Sequence, residues 1–150
     1  MESSAKYYAM GLRLGVLDAN DIQSWVDAEI SQSDEPPEVF IKLAYSTKDN
    51  VQDIYSIISA IEDSADQFDV LRKLLGQVKD VDIENLEFCR QLAEKFYSIW
   101  VENDYETPED LKLIGFLDDD YILASQGTYG TLEGWHNEFK NFVRSFRKNR

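Results

Sequence analysis

The sequence predicts an all-α fold, a compact orthogonal bundle of seven to eight helices around a central helix over residues 82–103. That stretch contains neither glycine nor proline. Its apolar residues recur every three or four positions, as on one face of a helix: Leu86, Cys89, Ala93, Phe96, Tyr97 and Trp100. Phe88, Leu92 and Ile99 widen this face, so the helix needs packing neighbours on several sides. No segment predicts a strand, and we expect a single helical domain over residues 1–150.

The first half of the chain predicts five helices, separated by polar turns. Their expected ranges are 4–17, 21–31, 37–45, 51–61 and 66–79. Side-chain oxygens that can cap a helix precede three of them: Asp18 or Asn20 before the second, Asn50 before the fourth and Ser64 before the fifth. In the first helix, Gly11 and Gly15 are expected to let another helix approach closely.

The C-terminal third predicts two further helices and a connecting segment. Thr107 and Pro108, followed by two acids, are a typical helix start. Residues 118–121 either continue this helix or cap a short further turn, and residues 127–130 form a turn. The last helix, from residue 131 to about 148, has the most regular amphipathic spacing in the chain.

The charge of the chain is strongly acidic and unevenly distributed. The net charge is −14, from 29 acids and 15 bases. Five of the bases lie in the last eleven residues, which contain no acid: Lys140, Arg144, Arg147, Lys148 and Arg150. We interpret these bases as helix-end charges or as an internal counter-surface to the acidic remainder. An acidic protein is repelled by nucleic acids and anionic membranes, so we expect a cationic partner instead.

The remaining bulk features predict a cytoplasmic protein. No apolar run is long enough to span a membrane, and the N-terminus lacks the pattern of a secretory signal. Cys89, the single cysteine, cannot form an internal disulfide, and we expect a buried, unreactive thiol. His136, the single histidine, lies at the edge of an apolar helix face and is expected to be structural. We predict no cofactor and no metal.

One pattern suggests an enzymatic alternative. Glu84 and Glu87 are spaced to share one helix face, and Glu106 and Glu109 repeat the spacing further along. The arrangement resembles the ExxE and ExxD pairs with which MazG-like all-helical nucleotide pyrophosphohydrolases hold magnesium. The second pair ends in Glu instead of Asp and falls at a predicted helix start. The resemblance implies a Mg²⁺-dependent hydrolase as the alternative function.

The stronger candidate is a protein-binding surface in which acids and tyrosines alternate. Tyrosine offers a large contact area at low entropic cost, and fixed carboxylates complement a basic partner. The predicted partner-binding residues are Asp104, Tyr105, Glu106, Asp118, Asp119, Asp120, Tyr121 and Tyr129. A second acidic stretch contains Asp27, Glu29, Asp34 and Glu35.

Residues 11–46 resemble small cytoplasmic bacterial proteins of the immunity type, which belong to polymorphic toxin systems. The shared elements are a turn leading into a helix at Asp21–Ile22, an acidic helix with Trp25 and Asp27, and the P-P-E-x-F-I-x-L-A helix at residues 36–44. The resemblance implies a non-enzymatic inhibitor that binds a toxin protein and occludes its active surface. A structural helical subunit is a further alternative, and the oligomeric state is left open.

Overall fold

The computed structural model describes residues 5–46 and 50–149. The all-α prediction is confirmed, and the described residues contain no strand. The α-helices are α1 (Ala5–Leu14), α2 (Ala19–Ser31), α3 (Glu38–Ser46), α4 (Val51–Ser59), α5 (Gln67–Gln77), α6 (Asp80–Ile83), α7 (Leu86–Glu102), α8 (Leu117–Ser125) and α9 (Leu132–Arg144). Two 3-10 helices span Glu109–Gly115 and Ser145–Asn149. The predicted first residue of helix 1, Ser4, and residues 47–49 of the predicted loop lie outside the described residues.

The chain forms two compact units, Met1–Val70 and Leu71–Arg150, called unit 1 and unit 2 below. In unit 1, α1 and α3 both pack on α4, and α2 packs on α3. The core of unit 1 is apolar and includes Ile22, Trp25, Leu43, Ile54 and Ile58. The expectation of a single domain over residues 1–150 stays a prediction.

The first helix is shorter than predicted, because its two glycines have local roles. Gly15 has a positive φ of 77° and ends the helix just after Leu14. A Cβ on Gly11 would lie 2.3 Å from the Leu17 side chain, so Gly11 makes room for the chain that turns back after α1. The predicted close approach of another helix at both glycines stays a prediction, since the contact of Gly11 is with the adjoining loop.

Side-chain caps explain where α2, α4 and α5 begin. Asp18, not Asn20, caps α2, and its carboxylate and that of Asp21 each accept the other residue's backbone N–H. Asn50 caps α4 as predicted, with Oδ1 2.6 Å from the Gln52 nitrogen. The prediction of Ser64 as the cap of α5 was wrong. Asp66 accepts the backbone N–H groups of Phe68 and Asp69 instead.

Unit 2 is organised around α7, against which α6, α8, α9 and the 3-10 helix Glu109–Gly115 pack. The predicted central helix began at residue 82, but α7 begins at Leu86. Asn85 leaves the helical conformation and its Oδ1 accepts the Phe88 N–H at 3.0 Å, which separates the short α6 from α7. The buried face of α7 consists of Cys89, Leu92, Ala93, Phe96 and Ile99.

The segment after α7 differs from the prediction in its helix type. Pro108, which has no side-chain cap, precedes a 3-10 helix, and Thr107 does not cap an α-helix. The segment over residues 118–121 belongs to α8, which begins at Leu117. The last helix was predicted to begin at residue 131, and Thr131 is the residue that caps α9, with Oγ1 3.0 Å from the Gly134 nitrogen. Within the described ranges, no helix has both the length and the apolar character that a bilayer crossing requires.

Candidate functional site

Four aromatic side chains form a connected group on unit 2, which we call the aromatic patch: Tyr97, Trp100, Tyr105 and Phe116. Trp100 lies at its centre, with ring centroids 5.7 Å from Tyr97, 5.0 Å from Tyr105 and 5.8 Å from Phe116. Tyr105 is 60% exposed and Phe116 is 49% exposed, and both rings contact Trp100. The patch therefore offers a partner a large apolar contact area on a supported base.

The backbone holds Tyr105 in this place through an unfavourable conformation. Asp104 and Tyr105 have φ values of 57° and 65°, and they are the non-glycine residues with positive φ in the described chain. The left-handed region costs an ordinary L-residue roughly 1–2 kcal/mol. The backbone N–H of Tyr105 donates to the Trp100 carbonyl at 2.9 Å and closes the turn after α7. Strained turns of this kind are concentrated at functional positions.

Gly115 makes the centre of the patch possible. A Cβ at this position would lie 2.5 Å from the indole of Trp100, closer than any side chain can approach. The glycine backbone therefore serves as the surface on which the Trp100 ring rests, and it fixes Phe116 beside that ring. The position of the patch depends on this close contact between α7 and the 3-10 helix.

Carboxylates that form no salt bridge with the described residues lie next to the patch in the chain. Asp104 and Glu106 adjoin Tyr105 in the chain and are exposed, and Asp118, Asp119 and Asp120 form the first turn of α8 directly after Phe116. Among the described residues, none of these five carboxylates takes part in a salt bridge. Helix α8 tolerates the acids because they lie at its positive N-terminal end.

Two carboxyls of α8 have raised pKa values, chiefly because they are partly buried. Burial raises the pKa of Asp118 above its usual value, and the nearby charges of Glu94 and Asp119 raise it further. Burial and Asp119 likewise raise the pKa of Asp120. A raised carboxylate pKa means that the ionised form is disfavoured in its present surroundings. A cation placed here would relieve this repulsion.

The eight predicted partner-binding residues fall into two groups. Asp104, Tyr105 and Glu106 belong to the turn that completes the patch, and Asp118 and Asp119 follow Phe116 at the start of α8. The other three lie around Trp135. Tyr121 is half-buried, and its ring centroid lies 5.0 Å from that of Trp135. Asp120, Tyr129 and Trp135 line a cleft of about 130 Å³.

Sequence reasoning missed the aromatic residues that support Tyr105. Tyr97 and Trp100 were assigned to the apolar face of the central helix, and Phe116 received no role. The four rings come from α7, the turn after it and the end of the 3-10 helix, so no single periodicity relates them. A usable signal was a large aromatic residue, Phe116, separated by only Leu117 from three consecutive acids.

The basic residues of the C-terminal region form ion pairs with Asp80 of α6 and with Glu84, which follows α6. Lys140 and Arg144 contact Glu84 at 3.3 and 3.0 Å, and Arg147 contacts Asp80 at 2.7 Å. Hydrogen bonds from these bases lower the pKa of both carboxyls. The interpretation as an internal counter-surface therefore holds for these three bases. The side chains of Lys148 and Arg150 lie outside the described part of the chain.

The geometric premise of the magnesium alternative was wrong. Glu84 follows α6 and Glu87 lies in the first turn of α7, so the two do not share one helix face. They also serve different cations, because Glu87 accepts hydrogen bonds from Arg90. Among the described residues, no group of three His, Cys, Asp or Glu side chains is arranged to hold a metal ion.

Cys89 and His136 approach the same backbone carbonyl. The thiol of Cys89 donates to the oxygen of Ile83 at 3.2 Å, and the Nε2–H of His136 donates to it at 2.7 Å. Burial raises the pKa of Cys89 to about 12, so the thiol stays protonated at neutral pH. The expected burial of Cys89 is confirmed, and His136 anchors α9 to the end of α6.

Comparisons of this chain with protein-family models, with curated proteins and with solved structures gave no match.

Proposed function

We propose that this chain is a non-enzymatic acidic binding protein, an immunity-type inhibitor that neutralises a cationic toxin protein by occluding its active surface. The observation that carries the proposal is the aromatic patch of unit 2, exposed at Tyr105 and Phe116 and flanked by carboxylates that make no salt bridge among the described residues.

The patch supplies the chemistry of a protein-interface anchor. Interface hot spots are enriched in aromatic residues that fill pockets of the partner, and truncating one of them typically costs about 2 kcal/mol or more. Trp100 supports both exposed rings, so little side-chain entropy is lost when a partner covers them. The partner then needs an apolar pocket or groove for Tyr105 and Phe116.

The negative charge of the chain favours a partner of positive charge. A net charge of −14 attracts a basic protein over several ångströms and raises the rate of encounter. Asp104, Glu106 and Asp119 are positioned to contact lysine or arginine residues around the apolar groove. The same charge opposes binding of nucleic acids and of anionic membranes.

The resemblance of residues 11–46 to immunity-type proteins adds the biological setting of this proposal. In that setting the protein acts in the bacterial cytoplasm, where a single reduced cysteine is normal. The toxin is blocked by steric and electrostatic cover, with no chemical step performed by the inhibitor.

The test is affinity capture from the host with three forms of the chain: wild type, Tyr105→Ala and Tyr45→Ala. Tyr45 is 84% exposed on α3 and serves as the matched control, because its loss removes an exposed tyrosine outside the patch. We expect one basic protein to be retained by wild type and Tyr45→Ala, and to be at least about tenfold depleted with Tyr105→Ala. The captured protein, purified separately, must lose its toxic activity when the wild-type chain is added.

Equal capture by all three forms, or a captured protein that stays active when bound, contradicts the proposal. An assay of the purified chain on a panel of nucleoside triphosphates with Mg²⁺ addresses the enzyme alternative. Turnover that Glu84→Gln or Glu87→Gln abolishes would establish the hydrolase and overturn the non-enzymatic function.

A further inference from the structure

The two exposed rings of the aromatic patch cover only part of the area that a protein interface needs. Tyr105 and Phe116 are 60% and 49% exposed, so together they present roughly 200 Å² of accessible surface. A stable protein–protein interface covers about 800 Å² on each partner. A protein that binds the patch must therefore also cover surface beside it, and the distribution of charge in unit 2 indicates where.

Negative charge without any base is concentrated in the chain that follows the patch. From residue 113 to residue 139 the sequence contains five acids and neither lysine nor arginine. The two elements that support the patch, α7 and the 3-10 helix Glu109–Gly115, contain bases as well as acids, and Arg90 and Lys112 form ion pairs within them. A basic partner that covers the patch is therefore attracted most strongly towards α8 and the first turns of α9.

One row of exposed side chains, which we call the α8 ridge, leads from the patch along α8. The Phe116 carbonyl accepts the Asp120 N–H at 2.9 Å, so the helical hydrogen bonding reaches back to the patch. From there every third residue is exposed: Phe116, Asp119, Ile122 and Ser125. Residues three apart form a ridge on a helix, and Ile122, which is 44% exposed, lies roughly 9 Å from Phe116 along the axis. The ridge therefore continues the patch with alternating apolar and polar side chains.

Tyr129 lies beyond the end of the α8 ridge, in the turn between α8 and α9. Gly127 and Gly130 have φ values of 71° and 72°, and a Cβ on either would meet nothing within 4 Å, so the turn is open to solvent. The backbone N–H of Tyr129 donates to the Leu123 carbonyl at 3.3 Å and holds the turn against the last turns of α8. The Tyr129 ring is 73% exposed. The turn thus presents a tyrosine ring from a backbone that is already in place.

We propose that the interface for the cationic partner continues from the aromatic patch along the α8 ridge to the turn after α8, where Ile122 and Tyr129 form a second anchor. This inference rests on the proposed function, because it concerns the same partner protein. Single exposed apolar residues are ordinary on protein surfaces, and these two carry the inference because they lie in one row with the patch. A second copy of this chain is a poorer occupant, since the five acids of one copy would repel those of the other.

The test is photo-crosslinking of the full chain in its host. A benzophenone-bearing phenylalanine replaces one residue at a time, at Tyr105, Ile122 or Tyr129. Tyr45 and Val81 are the matched control positions, because they are an exposed tyrosine and an exposed aliphatic residue outside this surface. We expect one basic protein, identified by mass spectrometry, to be crosslinked from all three test positions and from neither control position.

Affinity measurements with the crosslinked protein, purified separately, test whether the second anchor contributes to binding. Ile122→Ala and Tyr129→Ala should each weaken binding by about fivefold or more, and Val81→Ala and Tyr45→Ala by less than about twofold. Tyr129→Ala combined with Tyr105→Ala should multiply the two separate losses, because substitutions at distant sites are additive in free energy. An unchanged circular dichroism spectrum establishes that each variant is folded.

The outcomes separate this inference from the proposed function. A basic protein crosslinked from Tyr105 but from neither Ile122 nor Tyr129 would overturn the second anchor and leave the proposed function standing, as would wild-type affinity of both alanine variants. Crosslinking of Ile122 or Tyr129 to a second copy of this chain, seen as a product of twice the mass, would also overturn it. The absence of a basic protein from all three test positions would contradict the proposed function, and this inference with it.

Discussion

At the scale of single residues, Tyr105 is distinguished by an exposed ring and a left-handed backbone. Its ring is mostly exposed, and its backbone adopts the left-handed conformation directly after another non-glycine residue, Asp104. A turn selected only for stability would place glycine here. The exposed ring gives a reason for keeping a side chain despite this strain.

A comparison of Tyr105→Gly with Tyr105→Ala separates the contribution of the aromatic ring to binding from the contribution of the backbone strain to stability. Both variants lose the aromatic contact, and both should bind the partner at least about tenfold more weakly. Glycine also relieves the left-handed backbone, so Tyr105→Gly should be more stable to unfolding than Tyr105→Ala by about 1 kcal/mol. Urea denaturation measures the difference. A less stable glycine variant would show that the positive φ is not a source of strain.

The pKa of Asp118 is raised and that of Glu84 is lowered, so the two carboxylates should change the folding stability with pH in opposite directions. The pKa of Asp118 is raised by burial and neighbouring acids, so its ionised form destabilises the folded state. This penalty is complete above the folded-state pKa and vanishes as the pH falls below the unfolded value near 3.8. Asp118→Asn should therefore raise the stability at pH 7, by about 0.5 kcal/mol or less, and have no effect near pH 3.

Glu84→Gln serves as the counterpart. Hydrogen bonds from Lys140 and Arg144 lower the pKa of Glu84, so its contribution is present above the unfolded value of 4.5 and is lost as the pH falls through the folded value. This variant should be less stable than wild type at pH 7 and equal to it in strong acid. Thermal melts across this pH range measure both. A stabilising Glu84→Gln at neutral pH would refute the ion-pair description of α6 and α9.

At the scale of elements, Lys140, Arg144 and Arg147 form a clamp, a set of ion pairs that joins the C-terminal region to Asp80 of α6 and to Glu84. Arg147 lies at the centre of this clamp, because it donates to Asp80 and also to the backbone carbonyl of Val78. Arg147→Ala should destabilise the chain by about 1.5–3 kcal/mol, the range for hydrogen bonds that involve a charged group. Lys112→Ala removes an exposed pair with Glu109 and should cost about 0–1 kcal/mol. Equal losses in chemical denaturation would show that the clamp contributes no more than an ordinary surface pair.

The elements themselves were largely predictable from the sequence, and their ends were not. Apolar spacing located the helices, and the cap at Asn50 was identified because a single side chain determines it. Asn85 was overlooked because it lies within an uninterrupted apolar periodicity, which masks a cap. The 3-10 helix after Pro108 carries the same start signal as an α-helix, so the local sequence does not distinguish the two helix types.

The candidate site was predictable only in its charged half. Acids and tyrosines can be read from the chain, so Asp104, Tyr105 and Glu106 were identified. Trp100 and Phe116 could not be, because their meeting depends on how α7 and the 3-10 helix fold back on each other.

For the whole molecule, the net charge of −14 governs association more than folding. Raising the salt concentration from 50 to 500 mM should slow association with the basic partner by at least about tenfold and leave dissociation nearly unchanged. Asp104→Asn and Glu106→Gln should reduce this salt dependence, whereas Phe116→Ala should mainly speed dissociation. Stopped-flow or surface-binding kinetics separate the two effects. Association rates that do not depend on the salt concentration would contradict an electrostatic contribution to binding.

The affinity of the purified basic partner for the double variant Tyr105→Ala/Phe116→Ala, measured by calorimetric titration beside wild type and Tyr45→Ala, tests the central claim most directly. We expect the double variant to bind at least about a hundredfold more weakly, with an unchanged helical circular dichroism spectrum, and Tyr45→Ala to match wild type. A folded double variant that binds as tightly as wild type would contradict the assignment of the aromatic patch as the binding surface.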